Sequence, residues 1–106
     1  MKEKSRKETL ELMLKAEPND IFLNYALAME LMSEKDFLNA DMQLKKTLEL
    51  NKEYLPCYYQ LGQVNERLNK INDAIQFYQN GIVLAKKTFN TKALNELKEA
   101  LWLIED

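Results

Sequence analysis

A chain of 106 residues with 46% hydrophobic content, two Gly and two Pro holds one modest core, which excludes a multidomain enzyme, a turn-rich β-sandwich and a collagen-like chain. Lys and Arg number 15 against 17 Asp and Glu, a net charge of -2 with no bias toward nucleic acid or an anionic membrane. The absence of His removes every mechanism that needs imidazole as base, proton shuttle or metal ligand.

Lys2, Lys4, Arg6 and Lys7 open the chain as a basic leader, but Thr9 to Lys15 carries Glu11 and never becomes an uninterrupted apolar segment, so no secretion signal is expected. Leu10, Met13 and Leu14 fall at helical steps and predict a first helix over residues 3–16. After the break at Pro18-Asn19-Asp20, Leu23, Leu27 and Leu31 predict a second over 20–33. Asp36 before Phe37 caps a third over 37–50, with Leu44 and Leu48 on its stripe and Asn51 at its end. Leu61, Val64 and Leu68 mark a fourth over 54–68, and Asn69 with Asn72-Asp73 separates it from a fifth over 71–87. Asn90-Thr91 opens a sixth over 91–104.

No linker divides these six segments, so a single domain over 1–106 is expected. No apolar run approaches the roughly 20 residues that span a bilayer. Cys57, the single cysteine, has no partner for an intramolecular disulfide and without His makes no zinc site, which fits a reducing, cytoplasmic setting. A buried, inert Cys57 is the expected state. Gly81 lies inside a helical stripe, and close helix packing accounts for it.

Sliding the sequence by 34 residues aligns Tyr25 with Tyr59, Leu27 with Leu61, Ala28 with Gly62, Phe37 with Ile71, Ala40 with Ala74, Leu44 with Tyr78, Leu48 with Ile82 and Leu50 with Leu84, without a gap. The small residues Ala28, Gly62, Ala40 and Ala74 fall where a bulky side chain would push a paired helix away. Two related helical hairpins are the economical explanation.

These residues resemble the tetratricopeptide repeat family, whose motif runs aromatic, Leu-Gly, aromatic, then Ala, aromatic and Pro over about 34 residues. The better match is Tyr58-x-x-Leu61-Gly62 followed by Ala74-x-x-x-Tyr78, with Asn65 in an aromatic place and Lys86 in the Pro place. The earlier copy departs further, with Asn24-x-x-Leu27-Ala28, Leu31, Ala40-x-x-x-Leu44 and Lys52. Leu10, Met13, Leu14 and Pro18 look like the second helix of a further repeat, and Ala93-x-x-x-Leu97-x-x-Ala100-Leu101 like a closing helix. The resemblance implies an all-α, right-handed stack of antiparallel helix pairs, an alpha-alpha superhelix of about six helices. Its divisions are an N-terminal half-repeat (1–18), repeats over 20–53 and 54–87, and a capping helix (91–106).

Such a stack carries a concave face lined by the first helix of each pair, suited to a peptide or a partner helix. Carried onto this chain, that geometry selects Phe22, Tyr25, Met29, Met32 and Ser33 in one repeat, and Pro56, Tyr59, Gln63, Glu66 and Arg67 in the next. The Lys, Asn and Arg with which chaperone-binding members of the family hold a terminal carboxylate are replaced here by Tyr25, Ala26 and Met29, then Tyr59, Gln60 and Gln63. The expected function is a non-enzymatic protein-interaction module needing no cofactor or metal, with a protein or peptide partner and no nucleic acid or membrane. The alternative is a self-associating scaffold, a homodimer through exposed repeat ends such as Trp102, Leu103 and Ile104.

Overall fold

The computed structural model describes residues 4–105; Lys2 of the basic leader, the first residue of the expected 3–16 helix and the last of the 91–106 segment lie outside them. Among the described residues the chain forms six helices and no strand: α1 (Arg6–Ala16), α2 (Ile21–Ser33), α3 (Phe37–Leu50), α4 (Pro56–Arg67), α5 (Ile71–Lys87) and α6 (Thr91–Ile104). Among the described residues no helix is long and apolar enough to cross a membrane.

Local chemistry sets the starts. Ser5, Asp20, Asp36 and Asn90 each accept a hydrogen bond from a backbone N–H three residues on, which satisfies one of the donors a helix N-terminus leaves free. These caps place α1 and α2 inside the expected spans, because Ser5 and Asp20 are extended residues outside the helix. The fourth helix begins at Pro56 rather than residue 54, since a ring that lacks an N–H fits the first helical position. Asn69 ends α4 instead of capping α5, whose start at Lys70 has no side-chain cap.

Three turns share one stop. Lys35, Asn69 and Phe89 have φ of 61°, 59° and 56°, and the residue after each donates its N–H back to the carbonyl five residues earlier (Asp36 to Leu31, Lys70 to Asn65, Asn90 to Ala85). These are Schellman closures, which turn the chain sharply into the next helix. Phe89 is the odd occupant, since its Cβ is strained in this conformation and its ring is 90% exposed. Phe89→Gly should therefore stabilise the fold by about 1 kcal/mol in denaturant titration, and a loss of stability would show that the ring is held.

Each helix packs on the next along the chain, and α6 also touches α4. The result is elongated, 51 × 28 × 20 Å, with its core drawn out along the stack. Leu10, Leu23, Leu27, Leu31, Leu44, Leu61 and Val64 fill the N-terminal part, and Ala74, Tyr78, Ala85, Leu97 and Ala100 the C-terminal part. Small residues permit the close approaches. A Cβ on Gly62 would run into the Tyr78 ring, and one on Gly81 would lie 2.8 Å from Tyr58 Cβ and 3.0 Å from Leu97 Cδ1. Close packing thus explains both glycines.

Departures from the repeat motif have a physical account. Asn24 and Tyr58 are equivalent at 34 residues, and both hold the start of their helix to the preceding turn: Asn24 Nδ2 donates to Pro18 O at 3.0 Å, and Tyr58 Oη to Lys52 O at 2.7 Å. The fully buried Asn24 also donates to Asp20 O and accepts from Gln43 Nε2, so its burial leaves no side-chain atom unpaired. Asn65, in an aromatic place, donates Nδ2 to Leu61 O at 2.8 Å and to Asp41 Oδ1 at 3.0 Å, joining α4 to α3 of the preceding hairpin. Lys45 holds the other Asp41 oxygen at 2.8 Å.

Candidate functional site

Helices α2, α4 and α6 begin at evenly spaced positions, Ile21, Pro56 and Thr91, and their side chains meet along one face. Tyr25 from α2, Leu55, Pro56, Tyr59 and Gln60 at α4, and Asn90, Lys92, Ala93, Glu96 and Leu97 at α6 enclose a depression of about 300 Å³. A second of about 390 Å³ adjoins it, lined by Tyr59, Gln63 and Glu66 of α4 and Glu96, Glu99, Ala100 and Leu103 of α6. Tyr59 and Glu96 border both, so the two depressions lie side by side between α4 and α6.

The walls are held from below. Tyr25 stacks edge-on against Tyr54, with ring centroids 5.3 Å apart, and Tyr59 lies tilted against Tyr78 at 6.2 Å. Tyr78 of α5 is fully buried, yet its hydroxyl reaches the groove side of α4, accepts from Gln63 Nε2 at 2.7 Å and donates to Glu66 Oε2. One buried ring thus orients two groove side chains. Burial, followed by the hydrogen bond to Glu66, pushes the Tyr78 phenol well above its ordinary range, so it remains a donor at neutral pH.

Of the residues selected from the sequence, Tyr59, Gln63 and Glu66 come together in the second depression and Tyr25 in the first. Phe22 stands apart on α2 with its ring 71% exposed, while Met29 and Met32 are half-buried against the N-terminal core. Arg67 turns away from the groove, its guanidinium 5.5 Å from the centre of the Phe37 ring. What the sequence reading missed is the contribution of α6, expected only to close the stack: Lys92, Glu96, Glu99 and Leu103 form the facing wall. The even spacing of the three helix starts carries that signal.

Cys57 is fully buried, and burial pushes its thiol from an ordinary 9.0 up to about 12. Among the described residues no group of three or more His, Cys, Asp or Glu is placed to hold a metal ion. Folding keeps the thiol protonated while the unfolded chain releases it, so stability should fall as pH rises from about 9 toward 12. Tyr25, Tyr54 and Tyr58 are raised by burial as well and act in the same direction. In melts between neutral and alkaline pH, Cys57→Ala should lose less stability than the wild type; parallel curves would remove Cys57 from the effect.

No family model matches the chain, and no curated protein matches its sequence. Solved structures do. The crystal structure of a tetratricopeptide repeat domain protein from Salinibacter ruber is 35% identical, superposes with a TM-score of 0.76 and covers 81% of this chain and 96% of its own. The chain belongs to the tetratricopeptide repeat family. A solution structure of a tetratricopeptide repeat domain protein from the same organism is also 35% identical, with a TM-score of 0.78 over 83% of this chain and 89% of the other. A Bordetella parapertussis protein shares the fold at a TM-score of 0.87 and 20% identity, over 96% of this chain and 89% of its own. The tetratricopeptide repeat chain is an all-α helical repeat of the general protein-interaction class.

Proposed function

We propose that this chain is a non-enzymatic, cytoplasmic module that holds a peptide or helix of a partner protein in the groove formed by α2, α4 and α6. The observation that carries the reading is the adjacency of the two depressions, which share Tyr59 and Glu96 and set Tyr25 and Tyr59 beside α6 along one face. In this reading residues 20–53 and 54–87 are the two full repeats, 1–18 a half-repeat, and α6 is both the cap of the stack and one wall of the site. Nearest-neighbour stacking makes such a face possible in a short chain, because the binding face lengthens with each added helix while the core stays local.

The test is affinity capture from the native cytoplasm with wild type against Tyr25→Ala/Tyr59→Ala. Partner recovery should fall at least about tenfold, because buried aromatic anchors carry a large share of an interface's energy. Helicity should be unchanged by circular dichroism. Equal recovery by both proteins would sink the groove assignment. A second reading, self-association, draws on Trp102 and Leu103, 76% and 66% exposed on the last turn of α6. Light scattering separates the two: a concentration-dependent dimer lost on Trp102→Asp favours self-association, and a monomer at all concentrations favours the groove.

A further inference from the structure

The charge of the groove is uneven along its length. The first depression carries Lys92 and Glu96 beside aromatic and aliphatic side chains, one charge of each sign, whereas the second gathers Glu66, Glu96 and Glu99 around Tyr59, Ala100 and Leu103 with no cation in its lining. Among the described residues, ion pairs neutralise Glu30, Glu34, Asp41 and Glu53, but none of the three groove carboxylates. The nearest candidate along α4, Arg67, is drawn away onto Phe37. Glu66 is also fixed in direction, because the buried Tyr78 hydroxyl donates to one of its oxygens. Unneutralised carboxylates beside exposed Leu103 and half-buried Tyr59 complement a ligand that brings positive charge and apolar bulk together.

We propose that the occupant of the groove is a basic segment of a partner protein, whose Lys or Arg side chains lie along Glu66, Glu96 and Glu99 while a neighbouring bulky apolar residue packs on Tyr59 and Leu103. This rests on the groove reading above and adds the chemistry of the ligand. Lysine and arginine suit the site because their methylene stems cover apolar wall while the charged head reaches the carboxylates. An acidic or carboxylate-terminated peptide would meet like charge, which the site discriminates against.

The experiment is selection of a random dodecapeptide display library on the full chain, followed by binding measurements with the enriched peptides as synthetic probes. Enriched peptides should carry an excess of Lys and Arg within a few residues of Leu, Phe, Met or Trp. Their affinity should drop at least tenfold on Glu96→Gln/Glu99→Gln, a pair that leaves Tyr78 its Glu66 acceptor, and should weaken with added salt. Neutral or acidic enriched peptides that still need Tyr25 and Tyr59 would overturn the basic-ligand proposal and leave the groove standing. Peptides indifferent to Tyr25→Ala/Tyr59→Ala, or no enrichment at all, would overturn the groove reading and this proposal with it.

Discussion

Gly62→Ala is expected to destabilise the chain by about 3 kcal/mol, a fall of roughly 15 °C in thermal midpoint for a domain of this size. The ordinary effect of this substitution inside a helix is the reverse, because Ala is the better helix former by about 1 kcal/mol. Packing decides the sign here. The added methyl would fall on Cδ1, Cε1 and Cζ of Tyr78, the largest fully buried side chain, so the ring or the helix would have to shift. Its hydroxyl is also tied to Gln63 and Glu66, so displacing the ring would break two hydrogen bonds and disturb the groove wall. Thermal melts followed by circular dichroism test this, and Gly62→Ala/Tyr78→Leu should lose less than the sum of the single changes. A Gly62→Ala protein as stable as the wild type would show that the two helices can part at little cost.

The second large effect concerns the buried polar joint between hairpins. Asn65→Leu keeps the volume but removes the donor to Asp41 Oδ1, leaving one carboxylate oxygen of the buried Asp41 without its partner. The expected cost is about 2 kcal/mol, the penalty for an unsatisfied buried acceptor. Replacing both members, Asp41→Leu/Asn65→Leu, should recover most of that loss, because an apolar pair of similar shape needs no hydrogen bond. Chemical denaturation of the three variants reads the coupling directly. Additive losses would mean that Lys45, 2.8 Å from Asp41, already satisfies the carboxylate and that Asn65 contributes through packing alone.

The expected helices lie within three residues of the observed ones, because apolar spacing and cap chemistry are local properties. The deviations are local too: Ser5, Asp20 and Pro56 set the starts through their own hydrogen bonding or its absence. The 34-residue register foretold the small residues at Ala28, Gly62, Ala40 and Ala74, and it recurs in the left-handed turns at Lys35 and Asn69. Of the candidate site, Tyr25, Tyr59, Gln63 and Glu66 were legible as residues on the first helix of each pair. Arg67 was selected with them, but its placement over Phe37 was not legible, since that contact depends on a side chain 30 positions away in sequence.

Length, the missing His, the helical stripes and the internal repeat were enough to specify an all-α stack and to turn attention from catalysis toward binding. That information is carried by spacing, which a helix converts directly into faces. Two features required the fold. One is the facing wall from α6, with Glu96, Glu99 and Leu103 opposite Tyr59 and Glu66, which gives the groove its charge. The other is the reach of Tyr78 through the helix pair to Gln63 and Glu66. Both depend on how far one helix stands from another and at what rotation, quantities set by side-chain packing across the stack rather than by the periodicity of any one helix.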